Sequence, residues 1–459
     1  MRELSILAAA AEHPSRECLV TDDRVWSYAE LAGRVSAAIE ALRRRGLSGG
    51  ERVALTPRAE LESALWLYAA FELGCPVVLL HPRLSKRERA QILDETEVAL
   101  LISDAPPHDS IEAPELAPVP PERTLAIVYT SGSRGVPRGA LLSRQAFVAS
   151  EAAHATNLGW RPNDRWLLEM PPAHVGGLSI LTRSLIARRC VVVSPGPFDP
   201  AETIAALERH HVTLLSVVPT MLRRLLQLTA PSWTPNPELR AVLVGGAPWP
   251  ERLREEARAR GVPALATYGC TEACSQVATQ SMAQLGTLGS GAPLPGIELR
   301  IEDGEVQVRG DALMDGYLGQ LRKGSAWSDD GWFRTGDLGA FLPDGQLVVR
   351  GRRDDLIITG GENVAPQEVE AWLESLPGVA SACVFAVADE TWGSAVAAAI
   401  IAEGPRFDPG SLRERARDGL ADYKRPKWIA MLDAFPLNRS GKVDRAAVAE
   451  CCEGKLDAI

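Results

Sequence analysis

No run of eighteen or more apolar residues occurs anywhere in the chain, so nothing in it is expected to span a membrane. The opening Met1-Arg2-Glu3-Leu4-Ser5 places an acid early and leads into no long apolar core. We therefore read no secretory signal and expect a cytoplasmic protein. The eight cysteines include no Cys-x-x-Cys pair and the seven histidines no His-x-x-x-His pair, so no zinc site is assigned and reduced thiols are expected. Cys270-x-x-x-Cys274 would need metal partners from elsewhere in the chain. Neither Gly-x-x-x-x-Gly-Lys-Ser/Thr nor Gly-x-Gly-x-x-Gly is present, which excludes the two commonest nucleotide loops. Lysine is scarce beside arginine and alanine, a habit of composition that carries no function. There is no internal repeat and no long low-complexity tract.

What remains is the composition of a folded protein. Hydrophobic residues at 46% and charged residues at 24% argue against wholesale disorder, and 459 residues exceed one ordinary core. A net charge of −10 argues against a general nucleic-acid binder but leaves room for a local basic groove around an anionic cofactor. Oligomeric state is not written in these features, and a homo-oligomer stays open.

In chain order, Ser27-x-x-Glu30 is a capping box ahead of Leu31, Val35, Ile39 and Leu42, which predicts a helix over 28–45. Residues 53–55 predict a strand, 60–73 a helix, 77–80 a strand, and 98–102 another after a helix capped by Ser85-x-x-Glu88. This alternation predicts βαβ units and a mostly parallel sheet covered on both faces. A proline-rich linker, 106–121, follows. Strands resume at 190–193, 214–218, 241–244 and 264–268, several ending in glycine or small polar residues, where ligands of open α/β sheets collect. From Gly286 the texture becomes short, alternating and glycine-rich, which predicts a small β-rich subdomain. Gly351-Arg352-Arg353-Asp354-Asp355 is charged enough to be a hinge, and the residues beyond it predict a separate α+β unit, with a helix from Pro366 and another after Ser411-x-x-Glu414.

The chain is organised around Tyr129-Thr130-Ser131-Gly132-Ser133-Arg134-Gly135-Val136-Pro137-Arg138-Gly139. It follows an apolar strand and precedes a helix near 144–156. A strand-to-helix loop with three glycines, hydroxyls and two arginines can bring backbone N–H groups close to an anion, because glycine has no Cβ to block the approach. We read it as a phosphate cradle.

The order Thr-Ser-Gly-Ser-x-Gly-x-Pro-Arg-Gly resembles the phosphate loop of the adenylate-forming superfamily of acyl-CoA ligases, adenylation domains and luciferases. Four further segments follow in that superfamily's order. Tyr268-Gly269-Cys270-Thr271-Glu272 is similar to the motif whose ring stacks on adenine, whose threonine meets the acyl phosphate and whose glutamate holds Mg²⁺. Thr335-Gly336-Asp337 resembles the ribose-binding aspartate motif. Gly351 to Asp355, with Gly360-Gly361-Glu362-Asn363, resembles the hinge and the loop that meets the pantetheine arm. Pro436-Leu437-Asn438-Arg439-Ser440-Gly441-Lys442 resembles the segment of the catalytic lysine.

The resemblance covers nearly the whole chain. It implies an α/β fold with a large N-terminal domain of doubly wound sheets over 1–350, including the β-rich subdomain, a hinge over 351–355, and a small mobile α+β domain over 356–459. It implies ATP, Mg²⁺ and coenzyme A. Catalysis would fall to Lys442, Thr271 and Glu272. ATP would be bound by Thr130, Ser131, Gly132, Ser133, Arg134, Gly135, Arg138, Gly245, Gly246, Ala247, Tyr268, Gly269, Asp337 and Arg352. Asp354 matches the hinge position, and Gly360 and Gly361 the coenzyme A loop. Arg138 stands where the superfamily usually has lysine, which keeps the charge and changes its geometry.

For the acid, the runs Pro172 to Leu181, Ser216 to Leu222 and Ser275-Gln276 resemble those of the 2-succinylbenzoate–CoA ligases. They imply an acid pocket lined by His174, Gly177, Arg183, Ser275 and Gln276. Benzoate, anthranilate or another aryl acid, a carrier protein in place of coenzyme A, and a non-catalytic acyl- or nucleotide-binding homologue remain the alternatives.

Overall fold

A computed structural model describes residues 2–130, 137–194, 196–230, 232–322, 324–404, 407–439 and 441–458. The expected cradle residues Ser131, Gly132, Ser133, Arg134 and Gly135 lie outside the described residues. The α/β class read from the sequence is what the structure shows. A nine-stranded sheet has a parallel centre formed by Ala264–Cys270, Ala241–Gly245, Leu214–Val217, Arg165–Leu168, Cys190–Val193 and Glu17–Val20, with antiparallel strands at both edges. A seven-stranded sheet has Thr124–Thr130, Val77–Leu79, Val53–Leu55 and Leu100–Ile102 in parallel. Central strands such as Val53–Leu55 and Cys190–Val193 are buried throughout, as continuous apolar runs covered on both faces must be.

Both early capping boxes form: Ser27 and Glu30 close the start of Tyr28–Arg44, and Ser85 and Glu88 that of Lys86–Thr96. Ser411 precedes the helix Leu412–Gly419 but makes no side-chain cap, because its backbone is already helical at φ −80°, ψ −10°. The organising loop also differs from expectation. It connects two antiparallel strands, Thr124–Thr130 and Arg138–Ser143, in the register Thr130↔Arg138 and Tyr129↔Gly139, and the helix Arg144–Leu158 starts only after the second strand. The segment Arg138-Gly139-Ala140-Leu141-Leu142-Ser143 opens on Arg-Gly and runs Ala-Leu-Leu without alternating apolar and polar residues, so the sequence hides this return strand.

Four antiparallel strands, Ile297–Glu302, Glu305–Gly310, Phe333–Phe341 and Leu347–Arg352, form the expected β-rich sheet. Beyond them, Val379–Asp389, Gly393–Ala402 and Trp428–Met431 make a sheet backed by Pro366–Glu374. Its apolar clusters, from Ile357 to Cys452, are separate from the core of the preceding residues. No described helix is long and apolar enough to cross a membrane.

Candidate active site

The strand Phe333–Phe341 pairs with Leu347–Arg352 so that Asp337 faces Arg352 across the ladder. Arg352 Nη1 donates to Asp337 Oδ1 at 3.0 Å, and Tyr268 Oη, from the end of Ala264–Cys270, donates to Oδ2 at 2.6 Å. Thr335 Oγ1 accepts from the Asp337 backbone N–H and donates to the Val306 carbonyl, which fixes the bend before the aspartate. Burial pushes the Asp337 carboxyl up, and the Arg352 guanidinium opposes that rise. Three residues expected at ATP are thus joined in one hydrogen-bonded set.

Lys442 arrives from the small C-terminal unit. Its loop closes on itself, with Lys442 N–H donating to Asn438 Oδ1 at 3.0 Å and Asn438 N–H to the Lys442 carbonyl at 2.7 Å. Thr220 Oγ1, in the helix Pro219–Leu228, donates to the Gly441 carbonyl at 2.7 Å. Arg439 pairs with Glu88, whose carboxyl is held at about 2 by Arg439 and by the capping bonds of Ser85. The lysine then lies over Gly246, at φ +82°, where a Cβ would sit 3.1 Å from Cε and 3.5 Å from Nζ. A side chain at 246 would crowd the lysine, whereas at Gly245 a Cβ would meet Thr267. Burial lowers the Lys442 pKa, and Asp337 partly restores it. A desolvated ammonium with no carboxylate in ion-pair range among the described residues is prepared for an anion from outside the chain.

Thr271 and Glu272 lie in the 3₁₀ turn Thr271–Ala273, and the next two residues take left-handed backbone, Cys274 at φ 49° and Ser275 at φ 92°. Strain of this kind costs on the order of 1–3 kcal/mol per residue and gathers at functional sites. The reversal folds Ser275 back over Gly269, where a Cβ would meet the Ser275 carbonyl oxygen at 1.6 Å, so position 269 accepts glycine only. Glu272 Oε1 accepts from Tyr317 Oη at 2.6 Å, and Oε2 takes no hydrogen bond among the described residues. No group of three His, Cys, Asp or Glu is gathered among the described residues. One carboxylate with an open oxygen suits Mg²⁺, which usually keeps waters and shares its remaining ligands with phosphate. Thr130 Oγ1 lies 3.5 Å from the Arg138 carbonyl, at the described mouth of the phosphate loop.

The acid-pocket expectations separate into two groups. His174 sits at the N-cap position of Val175–Ala187 without a side-chain capping bond, and its ring lies 4.8 Å from that of His81. Burial, helped by the Lys442 charge, lowers His174 to about 4, and burial lowers His81 to about 4 as well. Both rings are therefore neutral near pH 7, and each leaves a buried Nε2 without a partner among the described residues. Deeper on the same helix, Arg183 is buried; Nη1 donates to Gln276 Oε1 at 2.6 Å and Nη2 to Ser150 Oγ at 2.7 Å, while its Nε has no acceptor among the described residues. Burial lowers Arg183 to about 10. Gln276 Oε1 also meets His154 Nδ1 at 3.0 Å. Gly177 packs against the Met170 and Pro171 carbonyls, so its missing side chain serves the helix seat. Ser275 lies at the strained reversal beside Glu272.

Three expected residues, Gly360, Gly361 and Asp354, are not brought to this centre. Gly360 packs on Trp392, its N–H donating to the Trp392 carbonyl at 3.0 Å, and Gly361 is exposed beside it. Asp354 is exposed in the turn Arg353–Asp355. Sequence reasoning missed Tyr317 and His81 as neighbours of the centre, and neither carries a local pattern. Thr220 and Arg439 stand within the quoted motif runs, but their partners were not legible: Arg439 and Glu88, for example, are 351 positions apart.

Comparison with known proteins places these features in a family. The model of AMP-binding enzyme matches residues 6–318, and that of AMP-binding enzyme C-terminal domain matches 368–442. The 2-succinylbenzoate–CoA ligase of Bacillus licheniformis is 35% identical, with 94% of this chain and 96% of that protein covered. The ligase of that name from Listeria monocytogenes serotype 4b is 33% identical over 95% and 97%. Among solved structures, o-succinylbenzoate CoA synthetase from Bacillus subtilis with the acyl-adenylate intermediate OSB-AMP is 33% identical, with TM-score 0.87 and 98% of each chain covered. The same enzyme with ATP and magnesium ion gives 32% and 0.86, covering 98% of this chain and 99% of that one.

Proposed function

The chain belongs to the AMP-binding enzyme family, and on that premise we propose that it is an ATP-dependent acid–thiol ligase. It adenylates 2-succinylbenzoate and passes the acyl group to coenzyme A, releasing AMP and pyrophosphate, as a cytoplasmic enzyme of menaquinone biosynthesis. The observation that carries the reading is the Lys442 ammonium, desolvated, without an ion-pair partner among the described residues, seated over Gly246 and within reach of the Asp337 charge.

In the first half-reaction a carboxylate oxygen attacks the α-phosphorus and the bond to pyrophosphate breaks. Two anions meet, so the reaction needs positive charge where negative charge accumulates. Lys442 bridges the acid carboxylate and an α-phosphate oxygen, a task for a compact ammonium. Tyr268 and Asp337 hold adenine and ribose, the latter with Arg352 at its side. Thr130 to Arg138 take the outer phosphates, and Thr271 the acyl phosphate. Glu272 holds Mg²⁺, which when bound adds positive charge to the phosphate oxygens. In the second half-reaction the thiol sulfur attacks the acyl carbon, AMP leaves, and the thiol proton is lost to solvent. For that step the small domain turns about 351–355, near Asp354, withdrawing Lys442 and presenting Gly360 and Gly361 to the pantetheine arm.

The acid lies along Val175–Ala187. His174 and Arg183 are nine residues apart, about 13 Å of helix, and the arginine side chain leans back toward the helix start. That span suits a dicarboxylate, with one carboxylate near Lys442 and His174 and the other drawn to Arg183 past Ser275 and Gln276. Pyrophosphate release measured over a panel of acids tests the assignment. The highest kcat/KM is expected for 2-succinylbenzoate, and equal or better turnover of benzoate or anthranilate would remove it.

A further inference from the structure

We propose that Tyr317 is a positioning residue that holds Glu272 in the orientation needed for Mg²⁺ and ties that carboxylate to the arm of the phosphate loop; this rests on the ligase reading above. Tyr317 is 3% exposed and lies in the strand Gly316–Tyr317, paired to Arg138–Ser143 in the register Tyr317↔Ala140. Its hydroxyl donates to Glu272 Oε1 at 2.6 Å and accepts from Arg138 Nη2 at 3.1 Å. A phenol has one proton to give, so both directions are fixed: the proton goes to the carboxylate and a lone pair receives the guanidinium. The Arg138 guanidinium carbon also lies 3.9 Å from the Tyr317 ring centroid, within cation–π range.

The backbone repeats the connection. Met314 N–H donates to the Glu272 carbonyl at 2.7 Å, while Asp315 N–H donates to the Leu141 carbonyl at 2.9 Å and Leu318 N–H to the Gly139 carbonyl at 2.8 Å. Residues 314–318 therefore splint Glu272, at main chain and side chain, to the strand that returns from the phosphate loop. With Oε1 taken by the phenol, Oε2 is the oxygen left for the metal, and the carboxylate cannot rotate freely. Groups that orient a metal ligand in this way typically contribute 10- to 100-fold in metal affinity.

The test is calorimetric titration of ATP into the full-length protein, wild type and Tyr317→Phe, each in Mg²⁺ and in EDTA. The phenylalanine keeps the ring and removes only the hydroxyl. ATP affinity in EDTA is expected to stay within about twofold of wild type, while the gain conferred by Mg²⁺ falls by roughly tenfold. An equal Mg²⁺ gain in the two proteins overturns the proposal and leaves the ligase reading standing. A wild type without any Mg²⁺ gain overturns both. Arg138→Lys gives a second route should Tyr317→Phe melt without a cooperative transition. Losing the guanidinium's contact with the ring and its hydrogen bond to the hydroxyl is expected to lower the Mg²⁺ gain by roughly two- to fivefold, and an unchanged gain overturns the proposal equally.

Discussion

Replacing Arg183 by methionine tests the proposal that this arginine meets the acid's second carboxylate. The guanidinium is buried with no carboxylate in ion-pair range among the described residues, and burial lowers its pKa to about 10, so the site is short of one negative charge. Removing it orphans none of its partners. Gln276 Oε1 keeps His154 Nδ1 at 3.0 Å, Ser150 Oγ still donates to the Cys274 carbonyl at 2.9 Å, and that carbonyl keeps Ser179 Oγ at 3.4 Å. Methionine fills most of the volume, and a buried unpaired cation is itself unfavourable, so the melting temperature should hold or rise. A charge-assisted hydrogen bond contributes about 1.5–3 kcal/mol, or roughly 10- to 150-fold in rate. We therefore expect Arg183→Met to lower kcat/KM for 2-succinylbenzoate by about that factor and to change it for benzoate by less than about threefold. The assay is pyrophosphate release with each acid at saturating ATP. Equal losses for the two acids, or destabilisation on the scale of about 3–5 kcal/mol expected when a buried pair is broken, would refute the assignment of Arg183 to the second carboxylate.

Three further outcomes follow from the same geometry. Glu272→Ala should raise the Mg²⁺ concentration needed for half-maximal pyrophosphate release by at least about tenfold, and an unchanged requirement removes Glu272 as the metal carboxylate. His174→Ala should raise the acid's KM or lower its turnover more than it changes the KM for ATP; because the ring is held at about 4 and stays neutral above that pH, the loss should be the same at pH 6 and pH 8. A loss that appears only at pH 6 would mean that the charged ring acts. Glu88→Gln keeps the capping geometry and removes the ion pair to Arg439, whose side chains are 31% and 39% exposed. Such a pair contributes about 0.5 kcal/mol after screening, so adenylation should slow by about two- to threefold at low salt and the difference should vanish at high salt. Thioester formation from supplied acyl-adenylate should not slow, and equal slowing of the two would show that the pair does not favour the adenylating arrangement.

Much of the fold was legible because it is local. Capping boxes at Ser27 and Ser85 announced their helices, and short apolar runs bounded by glycine and proline announced the parallel strands. The site was legible as ordered motifs, and Tyr268, Asp337 and Arg352 do meet. What escaped is set by tertiary pairing. The strand Arg138–Ser143 shows no alternation to read. Tyr317 reaches Arg138 across 179 positions and Glu272 across 45, and His81 meets His174 only because the start of Val175–Ala187 packs beside it. The scattered partners of Arg183 have no spacing that would group them.

The central claim is that one ammonium from the small domain serves the first half-reaction and leaves for the second. Single-turnover measurement of both half-reactions in Lys442→Ala tests it most directly. Adenylation, followed as pyrophosphate release, should fall by at least about 10²-fold, the scale of losing a preorganised charge at developing negative charge, while thioester formation from supplied acyl-adenylate and coenzyme A proceeds near the wild-type rate. Equal loss in both half-reactions would contradict the account.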